Sequence, residues 1–273
     1  MRVRRLQGDI IVLVTGASSG FGKLTGLILA QRGYRVYGTS RKASGEKLDG
    51  VEMVRLDITS DQSVRDCVSS VIQEAGRIDV LVNNAGQGLT GGLEETSIDD
   101  AKAHFDSNFF GAVRMVDAVL PDMRKRRKGQ IINVASLAGT FPVPFEGYYG
   151  AAKAALMAYT EVLRQEVKAL GVKVSVVEPG FFRTNLMNAR SHAANPISDY
   201  DEARKRAQAV LEESFNKGDD PKAVAEAIVS LIESPSPALH YPVGKERNYL
   251  LLKRILPVSA METLLRRHWR LDG

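Results

Sequence analysis

Apolar positions fall into two kinds of run along the chain. Short β-branched or apolar runs occupy residues 9–15 (DIIVLVT), 34–39, 52–56, 78–82, 130–135 and 172–177. Runs apolar throughout predict strands buried on both faces. Longer segments at 23–33, 61–75, 98–123, from Gly147 to near Gly171, 199–215 and 221–232 have helical composition or carry apolar residues at three- and four-residue steps. Those spacings predict helices with one apolar stripe. Ser60 is placed to cap the helix over 61–75, whose stripe is Val64, Val68, Val71 and Ile72 with Cys67 beside it. Phe105, Phe109, Val113, Val116 and Leu120 predict the packed face of one long helix over 98–123. Asn108 lies inside that helix, where a polar amide is unfavourable and a solvated face is the ordinary reading. The pattern fades over 181–195, as expected of a substrate loop reaching from about 181 to 200. Phe181, Phe182, Leu186 and Met187 either line an apolar pocket there or pack as core. Residues 241–273 are amphipathic, with Lys253, Arg254, Arg266, Arg267 and Arg270 set against Leu and Ile. They read as a helical extension that caps a cleft, forms a subunit contact or lies on a membrane surface.

Chemistry-bearing residues collect where these strands end. The first strand runs into TGASSGFG, Thr15–Gly22, followed by a helix. In that context Gly16 permits a tight turn, Gly20 lets a pyrophosphate approach the backbone and Gly22 allows close helix–strand packing. The free N–H groups of the helix N-terminus suit an anion. The second strand ends at Gly38, Thr39, Ser40, Arg41 and Lys42, with two cations and no acid. An acid there would hold a ribose 2′-hydroxyl, whereas Arg41 can hold a 2′-phosphate, so NADP(H) is favoured over NAD(H). Asp57 either reaches an adenine amino group or opens a turn. Small residues in NNAG, Asn83–Gly86, let a flat ligand lie against the backbone. Ser136 ends the run over 130–135, and Tyr149 and Lys153 lie one helical turn apart. A cation near a phenol lowers its pKa from about 10, giving a usable proton donor and acceptor.

Composition narrows this little further. The 273 residues are 44% hydrophobic and 25% charged, with a net charge of +5 that suits an anionic ligand without identifying one. The length suits one large α/β domain. Cys67 is the only cysteine, so no intrachain disulfide forms. The apolar run after the basic residues 1–8 is too short for a membrane span, and a soluble cytoplasmic protein is expected. The basic run 124–128 reads as a helix C-terminus stopped by Gly129; with no aromatic residues interleaved, no nucleic acid is expected. His104, His192, His240 and His268 lack metal-ligand spacing, and no metal is expected.

In order and spacing, TGASSGFG, NNAG, Asn108, Ser136, Tyr149-x-x-x-Lys153 and PGFFRT (Pro179–Thr184) resemble the classical short-chain dehydrogenase/reductases. A softer likeness links the Arg41 loop, the glycine turn and the tail to the 17β-hydroxysteroid and retinol dehydrogenase-like branch. The resemblance implies one doubly wound Rossmann-like α/β domain over 1–240, with about seven strands, and the extension 241–273 packed on it. It implies that Tyr149 is the acid/base, that Lys153 tunes it and holds a ribose, that Ser136 holds the substrate oxygen, and that Asn108 shapes a proton path. Gly16, Ser18, Ser19, Gly20, Phe21 and Gly22 match the pyrophosphate loop. Asp57 and Ile58 match adenine contacts, Asn84, Ala85 and Gly86 ribose contacts, and Pro179, Gly180, Phe182 and Thr184 carboxamide contacts; Ser40 and Arg41 complete the set. The implied protein is an NADP-dependent oxidoreductase acting on a small apolar ketone or alcohol, steroid-, retinoid- or acyl-like. A homodimer or homotetramer packed through the two long helices is also implied. Alternatives are an NAD(P)-binding regulator without turnover, an epimerase or dehydratase of the extended relatives, and a membrane-surface enzyme anchored through its tail.

Overall fold

The chain runs outward in two directions from a central strand, in a computed structural model that describes residues 10–184 and 190–272. In order, the elements are β1 (Ile11–Val14), α1 (Gly20–Gln31), β2 (Arg35–Ser40), β3 (Lys47–Leu48), β4 (Val51–Arg55), α2 (Asp61–Ala75) and β5 (Val80–Asn83). Next come β6 (Leu89–Thr90), α3 (Ile98–Phe105), a π-helical turn (Asp106–Phe110), α4 (Gly111–Arg126), β7 (Gly129–Val134), α5 (Gly147–Val167) and β8 (Val172–Pro179). The chain continues through β9 (Ser191–His192), α6 (Asp201–Asn216), α7 (Lys222–Glu233), β10 (His240–Val243), α8 (Tyr249–Ile255) and α9 (Val258–His268).

The main sheet has eight strands in the order β10-β8-β7-β5-β1-β2-β4-β3, parallel except for the short edge strand β3. β1 lies between β2 and β5, so the strand order reverses there and a crevice opens at the strands' carboxyl ends. Successive residues of β1 enter different cores. Val12 and Val14 pack with Leu29 of α1 and Ile228 of α7; Ile11 and Leu13 pack with Val68 of α2, Met115 of α4 and Leu163 of α5. This is why the strand reads as continuously apolar: its two-residue period has an apolar partner on each face.

Four differences from the sequence reading have local causes. β10 carries Pro242 and lies at the sheet edge, where a residue without an N–H is tolerated; it pairs in parallel with β8 and carries the sheet past the expected boundary at 240/241. The helix expected over 98–123 is interrupted by the π turn and continues through Pro121 to Arg126. That turn shifts the helical register, so the most buried side chains of α4 are Met115, Val116, Val119 and Met123, while Val113 and Leu120 are half-buried. Arg127, at φ 50°, ends α4 in the left-handed conformation, whereas Gly129 already belongs to β7. Within the basic run, Arg126 meets Asp122, Asp79 and the Ile78 carbonyl. The run over 130–135 is not wholly apolar inside: Gln130 and Asn133 are both buried. Asp9, Leu186 and Met187 lie outside the described residues.

Asn133 belongs to a buried polar chain that ties the site-bearing elements together. Asn83 of β5 donates to the Asn133 side-chain oxygen at 3.0 Å and to the Ala112 carbonyl at 3.2 Å. Asn133 donates to Thr160 Oγ1 at 2.9 Å, and Thr160 donates to the Leu156 carbonyl. The chain joins β5, β7, α4 and α5 beneath the crevice. Replacing Asn133 with Ala removes both of its bonds and opens a void, so the expected loss is about 2–4 kcal/mol in urea denaturation. An unchanged midpoint would show that this chain does not hold α5 to the sheet.

Candidate active site

The glycine turn is built by close packing. Gly16 has φ +66°, and a side chain at Gly22 would meet the Gly16 carbonyl and the Asn84 amide, both at 2.4 Å. Asn84 donates through Nδ2 to the Thr15 and Gly16 carbonyls, while Thr15 Oγ1 accepts from the N–H groups of Asn84 and Ala85. These bonds staple β5 to the turn after β1. Gly20 instead faces open space, and the first turn of α1 carries no acid. Beside it runs a cleft of about 580 Å³. Its walls include Gly16, Ser18, Ser19, Gly20, Phe21, Ser40, Arg41, Asp57, Ile58, Asn84, Ala85, Gly86, Asn108, Tyr149, Lys153 and Thr184. Asp57 also makes the turn: its Oδ1 accepts from the Thr59 N–H and hydroxyl, which with nearby Arg41 holds its carboxyl below the ordinary range. Arg41 itself makes no hydrogen bond or ion pair among the described residues and is solvent-exposed.

Ser136, Tyr149 and Lys153 converge because the Ser136 turn lies directly on α5. A Cβ at Gly139 would stand 2.8 Å from the Ala154 N, and one at Gly150 would stand 2.9 Å from the Ala138 carbonyl. Ser136 Oγ accepts from the Ala138 N–H at 3.1 Å, which fixes its rotamer. The Lys153 ammonium donates to the Val134 carbonyl at 3.1 Å and lies 5.9 Å from the Tyr149 ring centre. Burial pushes the Lys153 amine down to about 8. It also pushes the Tyr149 phenol up, and a hydrogen bond with Ser136 works against that rise. The sequence reading expected Lys153 to lower the phenol; in this structure burial dominates and the direction is reversed. Asn108 is 1% exposed rather than solvated, and it sits on the π turn. Its Oδ1 accepts from the Gln87 N–H at 3.2 Å and stands 2.7 Å from where a Gly86 side chain would begin. The same space is 3.4 Å from Lys153 Nζ, so Asn108, Gly86 and Lys153 share one corner.

A second cavity, of about 340 Å³, adjoins the cleft; Phe21, Ala135, Tyr149 and Thr184 line both. Its walls are mainly aromatic and aliphatic: Phe141, Val143, Phe181, Phe182, Phe215 and Trp269 among them. Pro179, Gly180 and Phe182, matched to cofactor contacts in the sequence, face this cavity rather than the long cleft. The tail contributes to its wall, with Tyr249 and Leu252 of α8 and Met261, Leu264 and Leu265 of α9 on its lining. Three charged groups intrude. Arg190 and Glu146 form an ion pair with both side chains buried, and the Arg190 guanidinium lies 5.1 Å from the Phe215 ring centre. Glu246 accepts from the Phe181 N–H at 3.4 Å.

Sequence reasoning gave no role to His104, Glu146, Arg190 or Glu246. The four-residue step from His104 to Asn108 was the one readable signal. The His104 ring nitrogens lie 3.3 and 3.4 Å from Asn108 Nδ2, and its ring centre lies 6.1 Å from that of Tyr149. Burial, then the charges of Lys153 and Arg190, lower its pKa from 6.5 to about 4. Between those values the unfolded chain binds a proton at this position and the folded chain does not. Stability is therefore expected to fall as pH drops from 6.5 toward 4, with a contribution of about 3 kcal/mol from this group. Urea denaturation at neutral and acidic pH should show a shallower loss for His104→Gln; equal slopes would remove His104 from the account.

Residues 10–195 match the model of the family described as short chain dehydrogenase. The chain is 40% identical over 260 residues to 3-ketodihydrosphingosine reductase of Bacteroides thetaiotaomicron, covering 94% of this chain and 96% of that one. It is 38% identical to retinol dehydrogenase 8 of Bos taurus, covering 84% of this chain and 79% of that one. Its fold matches the crystal structure of a short-chain dehydrogenase from Streptomyces avermitilis with a TM-score of 0.82 and 33% identity, over 97% and 98% of the two chains. With the glycine turn, the Ser136–Tyr149–Lys153 convergence and the sheet order all in place, the chain belongs to the short-chain dehydrogenase/reductase family.

Proposed function

We propose that this protein is an NADP-dependent oxidoreductase that reduces the ketone of an apolar substrate, with alcohol oxidation as the reverse step. The observation that carries this reading is the position of Tyr149, at the junction of a long cleft and an apolar cavity. The cleft fits a nicotinamide dinucleotide. Gly20 leaves room for a backbone approach, the α1 N-terminus offers N–H groups to a pyrophosphate, and the unpaired Arg41 suits a 2′-phosphate. Asn84 to Gly86 and Lys153 would hold the ribose beside Tyr149. When bound, the nicotinamide supplies or accepts the hydride at the substrate carbon.

The chain's own residues handle the oxygen. Ser136 and Tyr149 hold the carbonyl through their hydroxyls, and Tyr149 delivers its proton as the carbonyl carbon receives hydride. A phenol raised by burial stays protonated at neutral pH, the form that donates. Lys153, fixed by the Val134 carbonyl, stabilises the phenolate left behind. The apolar walls exclude water and receive the substrate's hydrocarbon part. The relatives named for a ketosphingoid and for retinol support a long apolar substrate. Half-exposed Phe110 on the π turn, joined through Phe109 to Tyr159 of α5, and exposed Val162 on the same helix support a homo-oligomer packed on the α4–α5 face.

Tyr149→Phe should bind NADPH nearly as the parent does and turn over a ketone at least ~10²-fold more slowly. A folded variant with retained turnover would refute the role of the phenol. Arg41→Asp should weaken NADPH binding by roughly ten- to a hundredfold while sparing NADH, the scale of one charge-assisted phosphate contact. Equal loss for both cofactors, read by fluorescence titration, would refute the assignment of Arg41 to a 2′-phosphate.

A further inference from the structure

Large apolar side chains are concentrated on the outside of the tail. Of the eleven that stand out as exposed among the described residues, six lie between positions 249 and 264: Tyr249, Leu251, Leu252, Ile255, Val258 and Leu264. They divide into two groups. Tyr249, Leu252 and Leu264 are 50%, 41% and 47% exposed and also line the apolar cavity, so they rim its mouth. Leu251, Ile255 and Val258 are 61%, 76% and 86% exposed and line no cavity, so they project from the bend where α8 meets α9. Leu251 and Ile255 are one helical turn apart and share a face.

Three cations of this region are free. The side chains of Arg247, Arg254 and Arg267 make no hydrogen bond or ion pair among the described residues, whereas Arg266 is held by Asp272, Arg270 by Glu213 and Lys253 by the Thr140 carbonyl. Glu262 and Asp272 are the exposed acids of the two-helix region. An apolar bend with Arg254 beside it, and further unpaired guanidinium groups at the outer ends of the two helices, has the chemistry of a surface that sits in an anionic lipid interface. A second copy of the chain is a poorer occupant, since a self-complementary contact would bring these cations against their own kind.

We propose that α8 and α9 seat the protein on an anionic bilayer surface, with Leu251, Ile255 and Val258 immersed among the acyl chains. The cavity mouth, rimmed by Tyr249, Leu252 and Leu264, then faces the lipid, and an apolar substrate passes into the cavity without crossing water. The passage of substrate rests on the oxidoreductase reading above; the seating on lipid does not. No helix among the described residues is long and apolar enough to cross a membrane, so the contact is with one surface.

The test is co-sedimentation of the full chain with vesicles of phosphatidylcholine alone and of phosphatidylcholine mixed equally with phosphatidylglycerol. Binding to the mixed vesicles should exceed binding to the neutral ones by roughly tenfold or more and weaken with added salt. Leu251→Ser, Ile255→Ser and Val258→Ser combined should lower binding by at least ~10-fold, the scale of three lost apolar side chains. Its reduction of a water-soluble ketone should match the parent's. Arg254→Glu with Arg267→Glu should abolish the preference for anionic vesicles without touching the apolar tip. Equal binding by parent and triple serine variant, or no binding by the parent, overturns the proposal. So does a change of oligomeric state in the triple variant, read by light scattering, because it would assign the tip to a subunit contact. If the parent binds vesicles but reduces no ketone, the enzymatic reading fails and the lipid contact stands.

Discussion

The bond from the Lys153 ammonium to the Val134 carbonyl is the constraint on which the site depends. It fixes the first turns of α5 against the end of β7, two residues before Ser136. An ammonium buried this fully is costly unless a fixed dipole meets it. Here the carbonyl does so, and the cost appears as an amine that loses its proton near 8. The rest of the local structure follows from holding that contact. The chain from Asn83 through Asn133 to Thr160 clamps α5 from beneath. The small residues Gly139 and Gly150 let the Ser136 turn lie on the helix from above.

The same geometry explains why the cleft and the cavity meet where they do. The strand order reverses at β1, beside β5, and the crevice at the carboxyl ends there becomes the long cleft. The cavity is made by the loop between β7 and α5 together with later chain: the segment after β8, α6 and the tail. Tyr149 is on the boundary because α5 lies between these two contributions. The π turn has a related effect. It breaks the helical register after Phe105, which lets Asn108 turn inward to Gly86 and Lys153 while α4 still packs Met115 and Val119 into the core.

How much of this was legible in the sequence depends on how local each cause is. The six core strands and α2 with its Ser60 cap are set by neighbours a few residues apart, and the pattern of residues revealed them; the glycine turn showed in its spacing although Asn84 and Ala85, far along the chain, complete it. The convergence of Ser136, Tyr149 and Lys153 was read from spacing and from resemblance. Asn133 was hidden because its partners lie 50 and 27 residues away, in β5 and α5. β10 was hidden because Pro242 argues against a strand unless the strand is known to be at an edge. The register break at the π turn has no sequence mark that the apolar spacing shows. The direction of the Tyr149 shift was misread for a related reason: a four-residue step places the ammonium nearby, but its depth of burial is a property of the whole fold.

That depth bears on why a phenol rather than a carboxylic acid stands at this position. Lys153 and Arg190 are both buried, and one carboxylate, Glu146, is bound to Arg190. A carboxyl group in place of Tyr149 would ionise and pair with Lys153, since an adjacent cation favours the charged form. It would then hold no proton to give. A phenol, whose ordinary pKa is near 10, stays neutral in the same surroundings, and in the reaction proposed above it would release its proton only as negative charge develops on the substrate oxygen. His104 obeys the same electrostatics from the other side. Burial first, and then the two nearby cations, keep the imidazole neutral at ordinary pH, and it lies against Asn108 as a hydrogen-bonding group without adding a third positive charge. In the reaction proposed above, Tyr149 would be the proton donor beside a neutral His104 and a Lys153 turned to the Val134 carbonyl.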